Sequence, residues 1–199
     1  MYHLFPEYHL TSFQSNKLGM ENALVIMNHH YELDWLYTWM AADRWRILGN
    51  SRVYVKKAIQ YVPIIGWAWS FSDTLFLARD WSHDQKVLDK VLVDLQDFPS
   101  PVVILLFPEG TRFTKDKYLA SREFAEKNGK PLLKHHLVPR TKGFTYTMSR
   151  IDKEKITAIY DLTLGCEMEV KEGNILAPYI FLTVLSLDGS EPDQRAHGT

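Results

Sequence analysis

The sequence predicts an α/β fold in which a largely parallel central sheet is flanked by helices. Residues 23–27 (ALVIM) and 102–107 (VVILLF) are short apolar runs rich in β-branched side chains, a pattern typical of strands that are covered on both faces. Segments with apolar residues at helical spacing lie between and around these runs, so strands and helices alternate along the chain. Such alternation favours parallel strands joined by crossover helices.

The helices are predicted from the spacing of their apolar side chains. Residues 34–45 begin with Asp34, whose carboxylate is favourable at the positive end of a helix. Residues 84–98 form the clearest amphipathic helix, and prolines follow it closely. Its apolar stripe consists of Val87, Leu88, Val91, Leu92 and Leu95. Residues 156–163 and 179–187 are further strand candidates.

Length and composition indicate a single domain with local binding sites. The chain has 199 residues, of which 46% are hydrophobic, enough to bury one sizeable core. Its formal net charge of −1 gives no general positive field, so we expect no nucleic-acid partner. Cys166 is the single cysteine and has no intramolecular disulfide partner, which fits a reducing, cytosol-facing setting.

Two uncharged stretches, residues 60–72 and 173–187, raise the question of membrane contact. Both are shorter than the roughly 18–20 apolar residues that cross a bilayer, so we expect no transmembrane helix, and the first residues lack the pattern of a signal peptide. Residues 60–72 concentrate aromatic rings that suit a membrane interface, and burial in the core is the alternative. These rings belong to Tyr61, Trp67, Trp69 and Phe71. Residues 188–199 have almost no apolar side chains and are expected to form a disordered tail.

A histidine and an aspartate follow the first predicted strand five positions apart, in the segment NHHYELD. Five residues of a helix turn by about 140°, so His29 should lie in the turn before the helix and Asp34 in its first turn. There the carboxylate can accept a hydrogen bond from one imidazole nitrogen and leave the other nitrogen as a base. Such a pair is equipped to deprotonate an alcohol as it attacks an acyl group.

Two other interpretations of this segment stay open. Asp34 could only cap the helix, with His29 and His30 as turn residues. His30 and Asp34, four positions apart, could instead share one face and bind a metal ion together with His135 and His136. No third ligand has a persuasive spacing, so no metal site is predicted.

A second polar group, PEGTR, follows the second predicted strand. Gly110 allows the backbone to approach a ligand closely, Thr111 offers a hydroxyl, and Arg112 presents a planar fork suited to phosphate. Glu109 could hold that fork in place or bond a hydroxyl of the ligand. Because ligands collect beyond the carboxyl ends of strands in open α/β sheets, both polar groups are expected to form one site.

The order of these motifs resembles the glycerolipid acyltransferase family, whose hallmark is His-x4-Asp followed later by Glu-Gly-Thr-Arg. Within that family the chain is most similar to the animal 1-acylglycerol-3-phosphate acyltransferases of the gamma, delta and epsilon subgroup. Residues 56–67, with a lysine pair and a Pro-x-x-Gly turn, resemble the second family block, and residues 76–79 its basic extension. Residues 137–144 resemble the fourth block. The resemblance covers residues 23–174 and implies one acyltransferase domain over residues 1–187.

The resemblance implies a role for each matching residue. His29 would be the general base, Asp34 its orienting partner, and Lys57 and Arg112 phosphate ligands, with Arg79 a further candidate. The implied substrate site is completed by Glu109, Gly110, Thr111 and Pro139, the last from the block usually placed near acyl-CoA.

The implied reaction transfers an acyl group from acyl-CoA to lysophosphatidic acid or a related lysophospholipid, giving phosphatidic acid in phospholipid biosynthesis. The acceptor hydroxyl attacks the thioester directly, so no cofactor is implied beyond acyl-CoA as co-substrate. Because the acceptor and the product are lipids, the implied location is a membrane surface, that of the endoplasmic reticulum.

Two departures from the family pattern support an alternative function. Ala58 stands where many relatives have a glutamate, which affects how Lys57 is oriented. Relatives also carry transmembrane helices beside the catalytic domain, and none is expected here. The alternative is therefore a truncated, inactive, membrane-associated module that binds lipid or protein partners.

Overall fold

The computed structural model describes residues 19–71, 74–78, 80–96, 98–152, 154–165, 170–171, 174–175 and 179–186. The strands are β1 (Asn22–Met27), β2 (Ser51–Lys56), β3 (Leu75–Leu77), β4 (Val103–Leu106), β5 (Ile156–Gly165), β6 (Val170–Lys171), β7 (Asn174–Ile175) and β8 (Tyr179–Ser186). The α-helices are α1 (Asp34–Arg44), α2 (Ile65–Ser70), α3 (Trp81–Gln96), α4 (Lys115–Lys127) and α5 (Thr141–Arg150). Short 3-10 turns cover Leu48–Asn50 and Lys57–Tyr61.

Within the described residues, six strands form one sheet in the order β3-β2-β4-β1-β5-β8. Strands β3, β2, β4, β1 and β5 pair in parallel, and β8 pairs antiparallel with β5 at the edge. The prediction of an α/β fold with a largely parallel sheet is confirmed. The β1–β4 register pairs Ile26 with Leu106, so these two strands end side by side at one edge of the sheet.

Helices cover both faces of the sheet and explain the uninterrupted apolar runs. On one face Val25 of β1 packs in a cluster with Ala41 and Ala42 of α1. On the other face Leu24, the neighbour of Val25, packs in a cluster with Leu88 and Leu92 of α3 and with residues of α5. Because each fully buried Leu contributes about 1.5–3 kcal/mol, both layers stabilise the sheet edge that carries the polar motifs.

The predicted helices agree closely with α1 and α3, but α3 begins earlier than its predicted first residue, Asp84. The Asp80 side chain accepts a hydrogen bond from the backbone N–H of His83 at 3.0 Å and caps the first turn at Trp81. Asp84 is instead buried, and its Oδ1 accepts a hydrogen bond from the N–H of Ala78 at 2.7 Å. The predicted tail, residues 188–199, lies outside the described residues, so that prediction stays untested.

Candidate active site

His29 and Asp34 are held together at the carboxyl end of β1. The Nδ1 of His29 donates to Oδ2 of Asp34 at 2.8 Å, which implies the tautomer with the proton on Nδ1. Asp34 is fully buried, and the same oxygen accepts hydrogen bonds from the N–H groups of His30 at 2.7 Å and Tyr31 at 2.9 Å. His29 lies in the turn and Asp34 is the first residue of α1, so their predicted positions are confirmed. The Nε2 of His29 is left available as a base.

Asp34 bonds the turn that precedes α1, which distinguishes it from a helix cap. A capping carboxylate accepts from N–H groups inside the first helical turn. The bonds from the N–H groups of His30 and Tyr31 come from upstream residues instead. The Asp34 carboxylate therefore fixes the shape of the turn and the orientation of the His29 ring at the same time.

The second motif meets the first through the backbone. The N–H of Phe113, the residue after Arg112, donates to the carbonyl of His29 at 2.7 Å. The His29 ring also lies against the Phe107 ring, with centroids 4.8 Å apart. Arg112 reaches back to this turn, because its Nη1 donates to Oε1 of Glu32. Adjacent parallel strand ends thus bring residues 80 positions apart into one site.

Gly110 allows the turn after β4 to approach the segment before α5 closely. Its φ of +65° is unfavourable for other residues, and a Cβ there would lie 3.0 Å from Cδ of Arg140. The N–H of Arg140 donates to the carbonyl of Pro108 at 2.7 Å. Lys117 of α4 donates from Nζ to Oγ1 of Thr111 at 2.7 Å. Two further cations are therefore positioned beside the motif.

A cavity of about 900 Å³ opens over the polar edge of the sheet. It is lined by His29 and Arg112 and has the size of a typical ligand pocket. Its other lining cations in the described residues include Arg52, Lys56, Lys117, Arg140 and Lys142. One wall is apolar and contains Trp35, Trp39 and Trp69, whose ring centroids lie 5.5–5.9 Å apart. The cavity can therefore hold a ligand with an apolar part and anionic groups.

Comparison with known proteins identifies the family. A sequence model described as "Acyltransferase" matches residues 9–165. The chain belongs to the acyltransferase family. It is 45% identical to 1-acyl-sn-glycerol-3-phosphate acyltransferase delta of Bos taurus over 149 residues, which is 75% of this chain and 39% of that protein. The delta protein of Mus musculus is 47% identical over 147 residues, with 74% and 39% covered. The gamma protein of Homo sapiens is 43% identical over 149 residues, with 75% and 39% covered.

The chain thus spans about two fifths of the length of the curated relatives it matches. The matched part contains the acyltransferase motifs that surround the cavity, including His29, Asp34 and Arg112. The family and the fold are therefore shown for this chain.

Glu109 of the acyltransferase chain does not make the predicted contact with Arg112. It is buried, and its Oε2 accepts a hydrogen bond from the N–H of Leu137 at 3.2 Å, with Nδ1 of His136 3.4 Å from Oε1. A buried carboxylate requires such hydrogen-bond donors. The carboxylate that lies beside the Arg112 guanidinium is that of Glu32. Glu109 and Pro139 line a separate cavity of about 210 Å³. Burial raises the pKa of Asp161 in the same cavity, and the charge of His136 opposes that shift.

Of the lysine pair Lys56 and Lys57, it is Lys56, the last residue of β2, that lines the acyltransferase cavity. Lys57 begins the following 3-10 turn and is exposed, and it is absent from the cavity lining within the described residues. Arg79 lies outside the described residues. Gly110, Thr111 and Arg112 all line the cavity together with His29, so the structure brings these four predicted residues together.

Several charged residues of the acyltransferase site were not predicted from the sequence. Arg140 and Lys142 stand in the segment singled out at residues 137–144, and their charge was the signal that could have revealed them. Lys117 and Glu32 gave no signal, because their roles depend on contacts with Thr111 and Arg112.

The cavity wall formed by α5 is fixed by a buried hydrogen bond. Thr147 is fully buried, and the hydroxyls of Thr147 and Tyr54 are 2.9 Å apart, which ties α5 to β2. Burial raises the pKa of the Tyr54 phenol to about 12, so it stays protonated at neutral pH. This bond holds the first turn of α5, with Lys142 and Gly143, against the cavity.

Two further observations concern metals and membranes. No group of three or more His, Cys, Asp and Glu side chains in the described residues is arranged to hold a metal ion. His30 is one of the residues in the alternative metal interpretation, and its ring stacks on the Phe113 ring, with centroids 4.6 Å apart. Among the described residues, no helix combines the length and the apolar character needed to span a bilayer.

Proposed function

We propose that this chain is an acyl-CoA-dependent O-acyltransferase that converts lysophosphatidic acid to phosphatidic acid. The observation that carries the proposal is the hydrogen-bonded His29–Asp34 pair, which lies in one cavity with the cations around Arg112. The names of the relatives, 1-acyl-sn-glycerol-3-phosphate acyltransferases, support the same acceptor.

In the proposed reaction, Nε2 of His29 accepts the proton of the acceptor hydroxyl as its oxygen attacks the thioester carbonyl. The carbon–sulfur bond then breaks, and the CoA thiolate leaves with the proton returned by His29. The negative charge of Asp34 stabilises the imidazolium between these steps, as a carboxylate does beside a catalytic histidine. No covalent enzyme intermediate forms, and no cofactor beyond acyl-CoA is needed.

We propose that the cationic part of the cavity binds the phosphate groups of the substrates and that its apolar part binds the acyl chain. The fork of Arg112 binds the phosphate of the acceptor, which displaces Glu32. Arg140 and Lys142 bind phosphates of CoA. The acyl chain lies along Trp35, Trp39 and Trp69, where its burial is favourable at about 0.8 kcal/mol per methylene.

A lipid acceptor also supports action at a membrane surface, which we propose is that of the endoplasmic reticulum. The lipid must reach the cavity from a bilayer, because a long acyl chain is poorly soluble in water. The apolar wall beside the cations offers such a molecule a matching environment.

Purified protein of this sequence, incubated with labelled oleoyl-CoA and lysophosphatidic acid, tests the proposal. Labelled phosphatidic acid in the lipid extract is the expected product, and His29→Ala is the control. Equal turnover with and without a chelator is expected from the histidine mechanism, whereas release of free labelled oleate that a chelator abolishes would support a metal-dependent hydrolase. Lipid binding without product would support the alternative of an inactive lipid-binding module.

A further inference from the structure

Four large apolar side chains on the segment between β2 and β3 are more than half exposed. Tyr61, Ile64, Trp67 and Phe71 are exposed, Ile64 to 75% and Phe71 to 89%. We name these four residues the docking ridge. Scattered exposed apolar residues are ordinary, but a cluster of large ones within 11 consecutive positions marks an interaction surface.

The backbone of the docking ridge is strained in a way that presents Ile64 to solvent. Ile64 has φ 67° and ψ −63°, and the N–H of Ile65 donates to the carbonyl of Pro63 at 2.8 Å, which defines a γ-turn. A positive φ is especially unfavourable for a β-branched residue. Strain of this kind persists only where the surroundings enforce it, and it concentrates at functional sites.

Close packing keeps the docking ridge in this shape. A Cβ on Gly66 would lie 2.4 Å from the carbonyl oxygen of Ile59, so α2 lies directly against the 3-10 turn Lys57–Tyr61. The Ser70 hydroxyl donates to the carbonyl of Gly66 at 2.7 Å within α2. The docking ridge is therefore a preorganised surface.

The other side of the same segment forms part of the cavity wall. Four residues of this segment line the cavity: Ile59, Val62, Ile65 and Trp69. Trp69 is buried against Trp35 and Trp39, so the structure supports burial in the core for this ring, whereas Trp67 is exposed. The docking ridge thus stands at the rim of the cavity that receives the substrates.

The chemistry of this rim fits a lipid bilayer with anionic headgroups. Trp67 and Tyr61 have amphipathic rings, which are favourable at the membrane–water interface. Lys56 and Lys57 are exposed beside them and complement negative headgroups. A row of projecting side chains suits insertion between lipids, and the cavity wall behind it continues the apolar surface.

We propose that the docking ridge inserts into the interface of an anionic bilayer, so that a lipid acceptor enters the cavity directly from the membrane. The insertion itself needs only the exposed side chains and the lysines. The transfer of an acceptor rests on the function proposed above, and the two parts are tested separately.

Sedimentation of the full chain with vesicles tests insertion. The variant Trp67→Ser/Phe71→Ser should bind vesicles of phosphatidylcholine and phosphatidic acid about a hundredfold more weakly, because two large apolar groups no longer enter the interface. Phe124→Ser is the matched control, since Phe124 is an exposed phenylalanine of α4, and its binding should be unchanged. Lys57→Gln should weaken binding about fivefold on these vesicles and not on phosphatidylcholine alone.

A second variant separates insertion from folding. Ile64→Gly removes an apolar side chain but suits the positive φ, so it should melt no lower than the wild-type chain and still bind vesicles more weakly. Unchanged vesicle binding by Ile64→Gly and by Trp67→Ser/Phe71→Ser would overturn the proposal. A wild-type dimer that these substitutions dissociate, without vesicle binding, would also overturn it in favour of a second copy as the occupant.

The choice of acceptor separates this proposal from the proposed function. With a short-chain, water-soluble lysophosphatidic acid, Trp67→Ser/Phe71→Ser should keep the wild-type rate, and with a long-chain acceptor in vesicles it should lose most of that rate. Equal losses on both acceptors would overturn delivery from the membrane. If the wild-type chain transfers no acyl group to either acceptor, the proposed function fails, and vesicle sedimentation still decides insertion.

Discussion

At the scale of single residues, Asp34 is the most constrained group of the site. One of its oxygens accepts three hydrogen bonds, from the His29 ring and from two backbone N–H groups. Hydrogen bonds of this kind offset part of the cost of burying a carboxylate. A buried, fixed negative charge beside His29 favours the imidazolium that forms when the ring accepts a proton.

Removing the His29 ring should abolish most acyl transfer while leaving the fold intact. A general base contributes about 10²–10⁴-fold to a rate, and the described part of the site contains no second imidazole bonded to Asp34. The initial rate of phosphatidic acid formation by His29→Ala, compared with the wild-type chain, measures this loss. Wild-type turnover in a correctly folded His29→Ala protein would contradict the role of His29.

Substituting Arg112 should affect the acceptor more than the donor. Arg112→Lys keeps the charge but loses the planar fork, and charge-assisted bonds contribute about 1.5–3 kcal/mol each. The KM for lysophosphatidic acid should therefore rise roughly ten- to a hundredfold with little change in the KM for acyl-CoA. The reverse pattern would move Arg112 to the donor site.

Glu32→Gln is the matched comparison for the Arg112 fork. It removes the charge that pairs with Arg112, so the phosphate no longer displaces an ion pair. The KM for lysophosphatidic acid should stay unchanged or fall. A rise as large as that of Arg112→Lys would show that Glu32 positions the guanidinium in the bound state as well.

At the scale of elements, strands β1 and β4 were predictable and β2 and α5 were not. Burial on both faces leaves β1 and β4 as continuous apolar runs, which is a strong signal. In β2 the buried positions include Arg52, and α5 contains glycine and β-branched residues, so neither has a regular apolar stripe. Whether these two segments form a strand or a helix depends on tertiary contacts such as the hydrogen bond between Tyr54 and Thr147.

In the site, too, the sequence predicts local contacts but not the contacts that depend on tertiary structure. His29 and Asp34 are five residues apart, so local geometry was enough to predict their pairing. One of the two roles predicted for Glu109 was to hold the fork of Arg112, but the sheet brings Glu32 beside Arg112 from the turn after the adjacent strand. Long-range pairing of this kind is set by strand order, which one sequence does not reveal.

Glu109 is expected to position the segment before α5. Glu109→Ala should leave the Leu137 N–H buried without its acceptor, at a cost of about 1–3 kcal/mol, which lowers Tm by roughly 2–10 °C. Glu109→Gln keeps an oxygen for that N–H and should retain most of the stability. Thermal unfolding of both variants measures the difference.

Kinetics of the Glu109 variants separate a positioning role from direct substrate contact. The segment that Glu109 holds leads to Arg140 and Lys142, so Glu109→Ala should raise the KM for acyl-CoA while Glu109→Gln stays close to wild type. Similar increases in the KM for lysophosphatidic acid in both variants, with unchanged Tm, would instead indicate that Glu109 binds the acceptor.

At the scale of the whole molecule, one cavity joins the elements that carry the separate motifs. Its wall includes residues of β1, α1, β2, α2, β4, α4 and α5 and of the turns between them. A ligand that fills it therefore contacts elements that are distant in sequence. Because such a ligand binds the folded chain and not the unfolded chain, it stabilises the fold by an amount that grows with its concentration relative to its Kd.

An unreactive acyl-CoA analogue should therefore raise the Tm of the protein, and by more as its acyl chain lengthens. At a hundred times its Kd a ligand adds about 2.7 kcal/mol, which for a chain of this size corresponds to roughly 5–10 °C. Each methylene buried along the tryptophan wall contributes about 0.8 kcal/mol, so the shift should grow with chain length until the cavity is filled. CoA without an acyl chain should give a smaller shift through its phosphates. Trp39→Ala should keep the CoA shift and lose much of the dependence on chain length, whereas an unchanged dependence would place the acyl chain outside this wall.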